Sequence, residues 1–367
     1  MKSRVNLFGP RWSALPPEPD VPGRSLASRL GLRSAPLLAA VLAGCSEEKH
    51  LQTYPQTIYA PRSEFADKLL DLQNLITYLG VAVGLLVFAI MAYIMVKFRY
   101  RPGMPEPEQI HGNTKLELAW TLIPALILAV IAVPTVRTIF ETQQKAPDNA
   151  VVVDVIGWQW WWEFKYPVDG GRDTVITANE IHVPVGTPVH LRLTAGDVLH
   201  SFWVPQMGGK RDLINGKTNH IVFTPNEPGI YLGQCAEYCG DSHALMKMRL
   251  IAHDSAGYRE WLRNEASPAP EPTDSSIALG KKLVTQGACA GCHIIQGVPT
   301  MVGRTGPNLT HFGRRRTLAA GIVENNAENL AAWLRNPPAM KPGAKMPNLN
   351  LKDEEIRYMV AYLQSLQ

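Results

Sequence analysis

Two stretches of this chain stay apolar for the length of a bilayer, and the sequence beyond them breaks into short alternating runs. Residues 75–96 carry about 22 positions without a charge, and residues 118–139 form a similar run with one late Arg137. Both predict membrane-spanning helices. Pro124 and Pro134 would break a soluble helix, but packed membrane helices tolerate proline. The connecting loop holds Lys97, Arg99, Arg101 and Lys115, which places it in the cytoplasm and both chain ends outside.

From residue 151 the pattern changes. Residues 151–156, 181–183, 189–193, 220–223, 230–232 and 246–252 are short β-rich runs separated by Pro and Gly clusters, as in an all-β Greek-key sandwich or barrel. Residues 267–276, rich in Pro and Ser, read as a semi-rigid linker. Helical periodicity returns at 277–286, 328–335 and 353–366, so the C-terminal domain is expected to be all-α.

The N-terminal end has a different character. About 30 Pro- and Arg-rich residues without periodicity give way to Arg29, Arg33 and the apolar run 35–43, too short to span. Leu-Ala-Gly-Cys45 follows, with charged residues just beyond, which is how a lipoprotein signal ends. The expected organisation is a leader and signal peptide over 1–44 with lipidation at Cys45, and an extracytoplasmic segment over 45–71. A two-helix membrane hairpin covers 72–140, the β domain 141–266, the linker 267–276 and the helical domain 277–367.

Composition adds little to this and excludes one class. A net charge of +4 with no basic stripe argues against nucleic acid. The cysteines are more informative, because each of the 5 has a chemical role and none is left for a disulfide. Cys289 and Cys292 lie in Cys-Ala-Gly-Cys-His293, a covalent haem c attachment site with His293 as the proximal ligand. The far axial ligand is expected to be a methionine, with Met301, Met340, Met346 and Met359 as candidates. Met301 is too close to the attachment site, and Met359 falls on an apolar helix stripe.

Cys235-x3-Cys239-x3-His243-x2-Met246 sets two thiolates, an imidazole and a thioether within twelve residues. This soft donor set suits two copper ions bridged by the thiolates better than zinc, whose sites rarely include Met. One distant histidine is needed, and His200 in Leu-His-Ser-Phe-Trp-Val-Pro is the best candidate. Two redox centres and a membrane hairpin on one chain indicate membrane electron transfer. Glu237, Glu117 and Trp160 each have an ordinary reading by themselves: a solvated loop acid, a helix-start acid that serves the dipole, and a strand aromatic that packs.

Residues 69–253 resemble subunit II of the haem–copper cytochrome c oxidases. The resemblance rests on His111-Gly-Asn-Thr-Lys-Leu-Glu-Leu-Ala-Trp-Thr-Leu-Ile-Pro124, Gly157-Trp-Gln-Trp-Trp-Trp162, His200-Ser-Phe-Trp-Val-Pro205 and the copper loop, in that order. It implies a cupredoxin-like domain holding the dinuclear CuA centre. His200 and Met246 would serve one copper, and His243 with the Glu237 carbonyl the other. The Glu237 side chain would reach a Mg²⁺ or Mn²⁺ shared with subunit I. Trp160 would be the residue where electrons enter, and Glu117 would lie at the mouth of a proton path.

Thr305-Gly-Pro-Asn-Leu309 and Lys341-Pro-Gly-Ala-Lys-Met346 are similar to class I cytochrome c segments, which makes Met346 the preferred axial ligand over Met340. The whole chain then resembles the caa-type subclass, in which subunit II carries its own cytochrome c. The implied partners are subunits I and III, membrane lipids, and a donor that is a cytochrome c or a bc1 complex. The implied place is the bacterial inner membrane, with both redox domains outside. Oxygen reduction to water and proton pumping would belong to subunit I. The competing reading is a membrane-anchored lipoprotein shuttle for another periplasmic reductase.

Charge adds an expectation about how the two domains meet. Residues 276–367 hold 11 basic and 5 acidic side chains, and residues 140–265 hold 11 basic and 15 acidic. Opposite net signs on tethered domains predict transient, salt-sensitive docking near Trp160.

Overall fold

The computed structural model describes residues 55–367. The expected leader, signal peptide and lipidated Cys45 lie outside the described residues.

Helices α1 (Glu64–Lys97) and α2 (Thr114–Thr142) carry the two apolar runs, with mean hydropathy of 2.6 and 2.3 in their most apolar windows. Their lipid-length faces are exposed, while α1 starts earlier than the apolar run alone indicates. Ser63 caps α1 by accepting from the Ala66 N–H and donates its own hydroxyl to the Met207 carbonyl at 2.7 Å. Phe65, two residues on, is buried in the core of the β domain. The first turn of α1 is therefore a plug in that domain, and its acids Glu64 and Asp67 suit the N-terminal helix dipole. Lys68 pairs with Glu141 at 3.2 Å, tying the start of α1 to the end of α2 as an antiparallel hairpin requires.

The β domain is two packed five-stranded sheets. One runs β3-β2-β1-β5-β8, with β1 Val151–Trp158, β2 Trp161–Val168, β3 Asp173–Ala178, β5 Val189–Ala195 and β8 Asn219–Phe223. The other runs β4-β10-β9-β6-β7, with β4 Glu180–Pro184, β6 His200–Trp203, β7 Arg211–Leu213, β9 Gly229–Cys235 and β10 Lys247–His253. The pairs β1–β5 and β4–β10 are parallel and the rest antiparallel. Alternation fixes the register: Val153 and Val155 on β1 and Leu191 and Leu193 on β5 all point inward and are fully buried.

Strand β2 is not among the runs that the sequence predicts, although Trp162, Phe164 and Tyr166 alternate into the core. Clustered tryptophans and Pro167 hide its period of two. Helix α3 (Ser255–Glu265) is also additional. It buries Tyr258 and Trp261, and Trp261 stacks on His182 with ring centroids 4.2 Å apart.

In the C-terminal domain, α4 (Ser275–Gln286), α5 (Ala327–Arg335), the short α6 (Pro337–Met340) and α7 (Asp353–Ser365) match the expected helices closely. They enclose a core that includes Val284, Leu330, Leu334, Ile356, Met359 and Leu363. A two-residue hairpin, β11 (Thr317–Leu318) with β12 (Val323–Glu324), is the small departure from all-α. The expected linker lies against this domain: the Ala269 N–H donates to the Gln296 carbonyl at 3.4 Å, and the Ser267 carbonyl lies 2.9 Å from the His311 ring. Within Arg314–Arg316, half-buried Arg315 turns inward to the Asn308 carbonyl while its two neighbours are exposed.

Candidate metal centres

Cys235 ends strand β9, and the chain then loops through Cys239 and the 3₁₀ turn His243–Leu245 to Met246 at the start of β10. The antiparallel β9–β10 pairing brings the two ends of this loop together. His200 enters from the neighbouring strand β6, which pairs with β9 through Phe202 and Cys235. Five soft donors from one loop and one strand thereby converge.

The thiol sulfurs of Cys235 and Cys239 lie 3.8 Å apart. His200 Nδ1 lies 3.9 Å from Cys235 Sγ, and His243 Nδ1 lies 3.5 Å from Cys239 Sγ. Met246 Sδ is 3.9 Å from Cys239 Sγ, and the Glu237 carbonyl is 3.2 Å from Cys235 Sγ. His200, Cys235, Cys239 and Met246 are all buried, which shields the donors from competing water. Two thiols, two imidazoles, a thioether and a carbonyl in steps of about 4 Å fit two thiolate-bridged copper ions.

Electrostatics prepares the donors. The Cys239 thiol, His200 and backbone N–H groups hold Cys235 well below the ordinary thiol range, against burial, while the Cys239 thiol is pushed up by the same pairing. His200 Nε2 lies 2.9 Å from Asp197 Oδ1. A carboxylate accepts there, so Nε2 carries the proton and Nδ1 keeps its lone pair toward the sulfurs. Asp197 resists burial and stays below the usual carboxylate range because His200 and the Gln159 and Val198 N–H groups donate to it. Asp197 is not among the residues the sequence singles out; its position three before His200 is the available signal.

Trp160 donates its indole N–H to the Cys239 carbonyl at 3.0 Å, and Gln159 Nε2 donates to the same oxygen at 2.7 Å. The tryptophan is thus hydrogen-bonded to the backbone of a candidate copper ligand. Trp158 stacks on Trp161, and Trp162 is fully buried in the core.

In the helical domain, Cys289 and Cys292 are free thiols on a 3₁₀ turn, the first partly buried and the second exposed. His293 Nδ1 lies 2.7 Å from the Pro307 carbonyl, which can only accept, so the ring presents Nε2 as its free donor. Burial pushes this imidazole below its ordinary range, although the Pro307 contact opposes that. Gly306 is required beside it, since a Cβ there would sit 2.5 Å from His293 Cε1. A covalent haem fits this thiol pair and this oriented imidazole. Met346 is half-buried against the domain core, whereas Met301 and Met359 are buried within it. Met340 closes α6 and is half-buried.

Contacts that the sequence did not reveal join the two domains. Lys341 is 4% exposed, burial pushes its amine down to about 7, and Nζ donates to the Trp160 carbonyl at 2.6 Å and to the Ala319 carbonyl at 3.2 Å. Ser242 donates to the Pro342 carbonyl, and Lys345 lies 3.3 Å from Asp197. At the other end of the contact Glu180, 1% exposed, accepts from the Thr317 N–H at 2.8 Å, the Thr317 hydroxyl at 2.9 Å and the Arg316 N–H at 3.1 Å. At the Trp160 face, where docking is expected, the domains meet through buried polar groups.

Two remaining candidates lie elsewhere. Glu117 is exposed in the first turn of α2 and accepts from the Asn113 N–H at 3.2 Å. Glu237 is half-buried in the copper loop, and no metal ligand group forms around its carboxylate among the described residues.

Comparison with known proteins matches each part separately. Residues 53–138 match the transmembrane domain of cytochrome c oxidase subunit II, residues 168–252 its periplasmic domain, and residues 277–367 the cytochrome c family. The cytochrome c oxidase subunit 2 of Alkalihalophilus pseudofirmus is 40% identical over 90% of this chain and 95% of its own length. The corresponding proteins of Bacillus sp. (strain PS3) and Bacillus subtilis are 37% and 35% identical, each over 90% of this chain and 95% and 96% of their own lengths. With the membrane helices, the soft-donor loop and the haem-binding motif in one order along one chain, this protein belongs to the cytochrome c oxidase subunit II family, in the form that carries a C-terminal cytochrome c domain.

Proposed function

We propose that the chain is the electron-receiving subunit of its oxidase, taking electrons from a cytochrome c or a bc1 complex and delivering them to subunit I for oxygen reduction and proton pumping. When bound, haem c and the CuA copper pair supply the one-electron relay. Cys289 and Cys292 would hold the haem covalently, with His293 Nε2 and Met346 Sδ as its axial donors. Cys235 and Cys239 would bridge the copper ions. His200 and Met246 would complete one side, and His243 and the Glu237 carbonyl the other. Asp197 orients the His200 ring and fixes its tautomer.

The carrying observation is the convergence of six soft or neutral donors in one buried cluster, with Trp160 bonded to the Cys239 carbonyl on its outer side. Within the same reading, the Glu237 carboxylate faces a Mg²⁺ or Mn²⁺ shared with subunit I, and Glu117 opens a proton path in that subunit. Subunit III completes the complex, Cys45 carries a lipid, and both redox domains stand on the periplasmic side of the inner membrane. A visible and near-infrared spectrum with EPR of the purified chain tests the core of this. The expected result is a haem c band together with a mixed-valence copper signal. A spectroscopically silent metal at the cysteine loop, or copper with a localised single-ion signal, would overturn it.

A further inference from the structure

The outer face of the sheet β3-β2-β1-β5-β8 carries a pair of imidazoles that the copper and haem sites do not use. His190 on β5 and His220 on β8 both point away from the core, because Leu191 and Ile221 beside them point in. The ladder pairs His190 with Val222 and Arg192 with His220, so the two rings are diagonal neighbours across adjacent strands. His190 Nε2 lies 2.9 Å from His220 Nδ1, with ring centroids 5.0 Å apart. Strand β5 is hydrogen-bonded on both sides, to β1 and to β8, which fixes the backbone under the pair.

A second histidine pair shows the contrast. His182 and His253 also face each other, at 2.8 Å, but Trp261 stacks flat on the His182 ring and makes that pair part of the packing under α3. Among the described residues no other ring stacks on His190 or His220, and no other hydrogen bond forms at either imidazole. His190 is half-buried and His220 is exposed, so both rings can turn and solutes can reach them. Arg192, the nearest cation, is held by Asp154, with Nη2 2.7 Å from Oδ2, so its charge is largely cancelled beside the pair. Burial, then His220 and Arg192, push His190 below the ordinary imidazole range against the pull of Asp154, which leaves it a neutral nitrogen donor at pH 7.

We propose that His190 and His220 form a surface site for one exchangeable divalent transition-metal ion, with Cu²⁺ preferred over Zn²⁺. The facing nitrogens, His190 Nε2 and His220 Nδ1, are the ligands. In the hydrogen-bonded pair one proton lies between them. On binding it passes to the outer nitrogen of the same ring by exchange with water, so both facing nitrogens offer lone pairs. Neighbouring positions on a tetragonal Cu²⁺ ion, each about 2.0 Å from the metal, stand about 2.8 Å apart, close to the 2.9 Å between these atoms. Tetrahedral Zn²⁺ needs about 3.3 Å, and the affinity order of the divalent ions runs the same way. No group of three His, Cys or acidic ligands forms around the pair among the described residues, so water fills the other positions and the ion stays exchangeable. The site shares no residue with the copper loop and does not rest on the electron-transfer reading.

Titration with Cu²⁺ of the full chain in detergent, after the haem and the copper loop are loaded and surplus copper is removed, tests the site by EPR. The expected result is one added single-ion Cu²⁺ signal coupled to two imidazole nitrogens, separate from the mixed-valence signal and displaced by excess Zn²⁺. His190→Ala and His220→Ala should each weaken this binding by an order of magnitude or more, with the haem c band and the mixed-valence signal unchanged. Where an alanine variant fails to fold, His190→Gln or His220→Gln, which keep a polar side chain on the outer face, decide in its place. No added signal in several-fold excess Cu²⁺, or an added signal that survives both substitutions, overturns the site. A copper loop without a mixed-valence signal would instead remove the electron-receiving reading, and the loss of the two-nitrogen signal in the histidine variants would still decide this site.

Discussion

The two redox domains solve the same problem with opposite architectures. The copper domain gathers its donors at paired strand ends and on the one short loop those strands close: His200 from β6, Cys235 from the end of β9, Cys239 and His243 from the loop, and Met246 at the start of β10. The helical domain distributes its donors over loops. Cys292 is exposed, His293 is half-buried on a turn, and Met346 lies more than fifty residues later in an irregular segment. A sheet ladder sets positions through many long-range hydrogen bonds, so its donors converge before any metal arrives. Loop donors depend on what they bind for their final order. Rigid placement suits a centre whose geometry must barely change with charge, and covalent attachment of a haem would compensate for looser placement in the other.

The largest test of this contrast is removal of a bridging thiol. Cys235→Ser or Cys239→Ser should abolish the mixed-valence EPR signal while the haem c band survives, because the donors belong to separate domains. A delocalised signal retained in either variant would exclude the bridging role.

Axial ligation should show the looser side. Met346→Ala should remove the sulfur-to-iron absorption band and lower the haem potential, with Met340→Ala nearly silent, as checked by visible spectroscopy and redox titration. A larger effect from Met340→Ala would transfer the role to that residue.

A smaller effect is expected one bond further from the copper. Asp197→Asn removes the carboxylate that accepts from His200 Nε2, and copper affinity should fall by about 10–100-fold in a competition titration. Unchanged affinity would mean that the strand scaffold alone orients the ring. The weakest expected effect is at the rim. Lys345→Met should change the domain contact by no more than about 1 kcal/mol, and intramolecular transfer should vary little across a salt series. A steep salt dependence would return the interface to an electrostatic encounter between oppositely charged domains.

The sequence by itself determined the parts and their order. Apolar runs, alternation and helical periodicity suffice for the membrane helices, most strands and all the main helices of the cytochrome domain, because each signal is local. The chemistry was legible for the same reason: Cys289, Cys292 and His293 are contiguous, and Cys235, Cys239, His243 and Met246 fall within one loop. His200 was within reach because it lies in a distinctive motif. The tertiary structure alone decided which groups support those donors and how the domains meet. Asp197 is an ordinary loop acid until β6 brings His200 onto it, and Glu180 is an ordinary strand acid until Arg316 and Thr317 turn their N–H groups toward it. Net charge correctly has opposite signs on the two domains, but it averages over side chains that mostly face water. The contact is made by two buried polar side chains, Lys341 and Glu180, whose partners are mostly backbone atoms far away in sequence, and no local pattern of side chains encodes where a distant carbonyl or N–H will point.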